Sequence, residues 1–172
     1  MLLYLGAFGF YIFKKFEENK ASFLEYTPEQ EISDEQFRNT IVKLFFKEIN
    51  SNNLRTEARS VDAKELISNP YLALMKLLIE GPSDDTLEKT VPEGTLVNNA
   101  ILAGDTVVLD LSEAFVANHP GGTEAENATI YSIVNTLTEL NEVNSVKILI
   151  DGKENLGFND NGIIFDNAFV RK

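Results

Sequence analysis

The chain has 172 residues, 44% of them hydrophobic, enough for one well-buried core or one compact domain with a tail. Fifteen Lys and Arg against 27 Asp and Glu leave a net charge of −12, so the surface repels phosphates and nucleic acid is excluded as a partner. There is no cysteine and one histidine, which removes disulfides, thiolate nucleophiles, a lipidated cysteine and multi-histidine zinc sites; no metal or other cofactor is expected.

Met1 to Phe13 (MLLYLGAFGFYIF) carries no charged side chain, and Lys14-Lys15 follows it. As a helix, thirteen residues would extend about 20 Å, short of a hydrocarbon core of about 30 Å. Residues 1–16 are read as a membrane anchor or its remnant; the alternatives are a buried core helix and the core of a signal peptide. Tyr4, Phe8, Phe10, Tyr11 and Phe13 fit an interfacial segment, and no small-residue cleavage site follows. A signal anchor carries its positive charge ahead of the apolar run, whereas here the Lys pair comes after it. A natural start upstream of Met1 would account for both the charge and the length. Residues 17–36 are acidic, poor in aliphatics and broken by Pro28, as in a flexible tether. The expected location is extracytoplasmic, held to the cytoplasmic membrane by the N-terminus.

Residues 37–172 read as one globular domain. Asn39–Lys47 (NTIVKLFFK) is a buried strand, Asn50–Asn53 a turn, and Leu54–Val61 a returning, more polar strand suited to an edge. Asn69 caps a helix that has Pro70 at its first position, a core stripe of Tyr71, Leu74 and Leu78, and a stop at Gly81-Pro82. After a loop from Ser83 to Val91, Thr95–Leu102 and Thr106–Leu111 form a hairpin around Gly104-Asp105. Ser112–Asn118 is a short helical turn capped by Ser112, and His119-Pro120-Gly121-Gly122 is loop. Thr123 is the expected N-cap of a helix reaching about Leu140, with Glu126 in the capping-box position and a stripe of Ile130, Ile133, Val134, Leu137 and Leu140. Ser145–Ile150 is a strand turned by Asp151-Gly152, and Gly162–Phe165 a further candidate strand. The order ββαββα-β implies an α+β two-layer sandwich, a mostly antiparallel sheet with two helices on one face.

His119 is the one residue with the makings of a general base, and Ser112, Asp110, Thr123 and Glu124 are its candidate partners. None of them sits in a nucleophile elbow. A loop histidine that fixes the approach to the next helix is the plainer reading. Gly121 and Gly122 precede a helix N-terminus but lack the Lys-Ser/Thr of a phosphate loop. Asp110, Glu113, Glu124 and Glu126 could supply paired carboxylates, although solvated surface explains them as well. Asn159-Asp160-Asn161-Gly162 resembles part of a calcium loop, but Gly157 and Ala168 stand where acidic ligands belong, so it reads as a turn. Asn135 interrupts the apolar face of the second helix and is expected to bond a neighbouring loop or strand end. Catalytic residues are not assigned; His119, Gly121, Gly122 and Asn135 are the candidate ligand or partner contacts.

Four stretches in order carry a family resemblance: Val91-Pro92-Glu93-Gly94-Thr95, Val108 to Phe115 (VLDLSEAF), Ile130 to Thr138 (IYSIVNTLT) and Ile148 to Gly152 (ILIDG). Together they resemble the GerMN domain of sporulation and spore germination proteins, over roughly Phe37 to Asn155. The helix ending Leu77-Leu78-Ile79-Glu80-Gly81-Pro82 is similar to the family's upstream helix. The resemblance implies a small α+β module without enzymatic activity, found on extracytoplasmic proteins and related to ring-building domains of envelope assemblies. It implies envelope proteins or self-association as partners. The chain departs from the family in lacking the lipoprotein cysteine and in holding a single copy. The rival expectation is a peptidoglycan- or glycan-binding protein, or an envelope hydrolase using His119 with nearby carboxylates in a groove.

Overall fold

A computed structural model describes residues 38–154, 156–159 and 162–172. The expected anchor and tether, residues 1–36, lie outside the described residues, as do Asn155, Asp160 and Asn161. The fold is α+β. In chain order it runs β1 (Asn39–Glu48), β2 (Leu54–Asp62), α1 (Ala63–Ser68), α2 (Pro70–Glu80), β3 (Leu87–Glu88), β4 (Val97–Ala103), β5 (Thr106–Leu111), α3 (Ala114–Ala117), α4 (Thr123–Leu137), β6 (Ser145–Ile150) and β7 (Phe169–Val170).

The strands form two sheets, β2-β1-β3 and β4-β5-β6-β7, rather than one. Pairing is antiparallel throughout except between β5 and β6, where α3 and α4 supply the crossover that a parallel pair needs. β5 and β6 alternate core and partly exposed positions, so Val107, Leu109, Leu111, Val146, Ile148 and Ile150 all point inward. Leu44 and Phe46 of β1, Leu74, Met75 and Leu78 of α2, and Ile130, Ile133, Val134 and Leu137 of α4 complete one continuous core. α2 begins and ends as its residues dictate: the Asn69 carboxamide oxygen accepts from the Leu72 N–H at 3.0 Å, and Gly81 stops it at φ 98°.

Several expectations are corrected. Asp62 caps an additional helix, α1, by accepting from the Lys64 N–H. Ser112 does not cap α3; its hydroxyl accepts from the Leu96 N–H. Thr123 lies inside α4, whose N-cap is Gly122 without a side-chain cap bond. The helix ends at Leu137, leaving Leu140 half-buried in the following turn. The segment from Gly162 to Phe165 holds a single bridge, Gly157 to Ile164, and the last strand is Phe169–Val170 on the edge of β6.

Helix α4 takes the place of a strand at the free edge of β1. Its Thr129, Ser132 and Thr136, at helical spacing, form one polar stripe, all of it buried. Thr136 Oγ1 accepts from the Phe45 N–H at 3.0 Å, and the Ser132 hydroxyl donates to the Phe45 carbonyl. Thr129 donates to the Thr90 carbonyl at 2.7 Å. Hydroxyls thus satisfy the strand groups that β3, only two residues long, does not reach.

Candidate functional site

The loop from His119 to Gly122 leaves α3 and enters α4 through two glycines at φ 78° and 91°, a region closed to most side chains. A Cβ on either would meet nothing within 4 Å, so conformation and not crowding requires glycine here. The His119 ring is held on three sides. Its Nδ1 accepts from the Gly121 N–H at 3.0 Å, which places the proton on Nε2, 3.0 Å from Thr129 Oγ1. The Thr129 hydroxyl passes its own proton on to Thr90, and Phe158 lies against the ring at 4.2 Å between centroids.

Burial pushes the His119 pKa below the ordinary histidine value, against the opposing pull of the Glu126 carboxylate. Glu126 itself is 3% exposed, and its Oε2 accepts from the Ile163 N–H at 2.8 Å. The capping-box expectation for Glu126 therefore fails: the side chain turns to the tail instead of back to the start of its helix. The tail approaches so closely that a Cβ on Gly162 would lie 2.5 Å from Glu126 Oε1. A Cβ on Gly157 would lie 2.6 Å from the Ile163 carbonyl. Close packing thus sets both glycines of the calcium-loop-like stretch, and no cluster of metal-ligating side chains occurs among the described residues. Phe158 and Phe165 join Phe115 in an aromatic cluster beneath this tail, with centroids 5.1 to 6.1 Å apart.

His119, Gly121 and Gly122 come together with Glu126 and Phe158 around a concavity of about 210 Å³. Of the catalytic partners expected for His119, Thr123 lines this concavity with it, but none of the four is hydrogen-bonded to the ring. Asp110 accepts from the Gly152 N–H and Ser112 from Leu96, while both His119 ring nitrogens are taken by Gly121 and Thr129. Asn135 belongs elsewhere. It lines a separate groove of about 460 Å³ between α4 and the β1–β2 turn, together with Asn127, Tyr131 and Lys172. Its expected bond to a neighbouring segment is to the chain end: Oδ1 accepts from the Lys172 N–H at 3.4 Å. Sequence reasoning missed Thr129; the polar stripe at 129, 132 and 136 was its available signal.

Comparison with known proteins places this geometry. Residues 43–156 match the family model described as Germane, sporulation and spore germination. The tandem GerMN domains of the sporulation protein GerM from Bacillus subtilis superpose with a TM-score of 0.64 at 20% identity, covering 79% of this chain and 47% of that one. The chain thus spans about half the length of that relative. The first GerMN domain of the same protein gives 0.64 at 19% identity, covering 77% of this chain and 98% of that one. A candidate lipoprotein from Clostridium perfringens gives 0.53 at 21%, covering 78% and 89%. No curated protein matches the sequence. A model match spanning most of the globular domain, on a fold shared with the GerM domains, makes this chain a member of the Germane family of sporulation and spore germination.

Proposed function

We propose that this chain is a non-enzymatic assembly module of the bacterial envelope, held outside the cytoplasmic membrane by its N-terminal segment. It docks copies of itself or envelope proteins through the open edge of β2. The β2 edge is the observation that carries this reading. In the sheet order β2-β1-β3 the nine residues of β2 are terminal, and no described strand pairs with their outer side. Phe45 turns its N–H and carbonyl away from β2, so Thr56 opposite it turns its own outward, and Ala58 and Ser60 follow at the same phase. Those three residues are exposed and small, leaving the edge open to an incoming strand.

Two further points support the reading. The one imidazole spends one nitrogen on its own loop and the other on Thr129 of α4, so it is not held ready as the base of a hydrolase. The apolar run at residues 1–13 agrees with a membrane-held domain, as does the lipoprotein description of one protein of similar fold. Fractionation of cells followed by amine crosslinking of the membrane pellet tests the proposal. Recovery of the chain in the membrane fraction, crosslinked to itself or to envelope protein, is expected; a soluble cytoplasmic monomer would sink it.

A further inference from the structure

The groove between α4 and the β1–β2 turn has a lining unlike the rest of the molecule. The chain carries 27 acidic residues, yet the residues that line this groove include none, and the one charged side chain among them is that of Lys172. Four asparagines line it, Asn52, Asn53, Asn127 and Asn135, together with Phe45, Leu54 and Ala128. Its volume, about 460 Å³, lies within the range of about 300–1,000 Å³ that small ligands occupy.

Asn135 shows that the lining is built. It is 6% exposed, its Oδ1 accepts from the Lys172 N–H, and its Nδ2 has no hydrogen-bond partner among the described residues. No buried side-chain polar atom among the described residues lacks a partner, so this Nδ2 is open to the groove, where a bound acceptor can take the place of water. Asn127 uses its NH2 on the Thr123 carbonyl at 2.7 Å, leaving its oxygen to accept. Lys172 is fixed in turn. Its ammonium stands 4.2 Å from the Tyr131 ring centroid, and its neighbour Arg171 is paired with Glu139 at 2.5 Å.

We infer that this groove binds a saccharide bearing N-acetyl and carboxylate groups. Carboxamides offer donors and acceptors side by side, the arrangement that hydroxyls and acetamido groups require, and they carry no charge to desolvate. The apolar surface suits the C–H face of a pyranose, and Lys172 supplies the partner of a carboxylate. An extended peptide fits less well. The strand groups nearest the groove, the N–H and carbonyl of Phe45, are already taken by Thr136 and Ser132, so strand addition is closed at that point. This site is separate from the β2 edge and does not depend on the assembly reading.

The test is titration of the ¹⁵N-labelled full chain with tri-N-acetylchitotriose, hyaluronan tetrasaccharide and capped tetra-alanine. Both saccharides should shift the signals of Asn52, Asn53, Asn127 and Asn135, the acidic one binding several-fold tighter. Asn127→Ala, on the exposed flank of the helix, should weaken both by about five- to tenfold, the scale of one hydrogen bond. Asn135→Asp keeps the acceptor for Lys172 while removing the donor and adding a negative charge, and should weaken both, the acidic sugar more. Lys172→Gln should erase only the preference for the acidic sugar. Saccharides that leave these four amides unmoved, or a peptide that shifts them more strongly, would overturn the inference, as would equal binding to wild type and Asn127→Ala.

Discussion

His119 couples three segments through one neutral ring, and its chemistry sets a pH response. Unfolded, an imidazole titrates near 6.5. Folded, burial holds this one lower, and protonation would also cost the bond that Nδ1 accepts from Gly121. Between those two values the unfolded chain binds more protons than the folded one. Stability therefore falls as pH drops below about 6.5, and the loss is complete once the folded value is passed. Glu57 and Glu139 respond in a lower window: burial alone would raise them, but hydrogen bonds and the charges of Arg59 and Arg171 outweigh it and hold them low. Urea midpoints between pH 7.5 and 5.5 should fall for wild type and stay nearly flat for His119→Asn; equal slopes would contradict this role for the ring. Gly157 offers a steric test. A methyl group there would lie 2.6 Å from the Ile163 carbonyl, so Gly157→Ala should lower unfolding stability by about 1–3 kcal/mol in urea melts. The need for a loop at His119-Pro120-Gly121-Gly122 was legible, because Gly and Pro act locally. The ring's partner Thr129 was not, because that bond depends on how α4 docks.

At the scale of elements, α4 is the piece whose role the pattern half concealed. Its apolar stripe announced a core helix, and Ile130, Ile133, Val134 and Leu137 are indeed fully buried. Periodicity treats Ser and Thr as interruptions, however, and so missed that Thr129, Ser132 and Thr136 serve the edge of β1 and the segment beside it. Thr136→Val keeps the shape and leaves the Phe45 N–H without a partner. It should cost about 1–3 kcal/mol in equilibrium unfolding, while an unchanged midpoint would mean that the bond contributes nothing net. Helix α1 shows a legible signal passed over: Asp62 just ahead of Ala63-Lys64-Glu65 is a good N-cap residue, and its carboxylate accepts from the Lys64 N–H. The parallel β5–β6 pair and the division into two sheets were not legible, since hairpin signals report neighbours in sequence and not crossovers.

At the scale of the molecule, the family, the α+β class and the position of the domain follow from motifs spread over most of the globular part. The separation of the candidate contacts does not: His119, Gly121 and Gly122 line one concavity and Asn135 another, a consequence of packing between elements distant in sequence. The β2 edge is where the assembly reading stands or falls. Ala58 points its N–H outward, so Ala58→Pro removes an edge donor without touching the ladder to β1, and edge strands tolerate proline. Wild-type and Ala58→Pro chains, crosslinked in intact membranes at matched expression, give the most direct comparison. Crosslinked species are expected in wild type, and they should largely disappear in the proline variant while its melting temperature is preserved. A wild-type chain that remains monomeric and captures no envelope protein, or the same crosslinked species in both, would contradict docking through this edge.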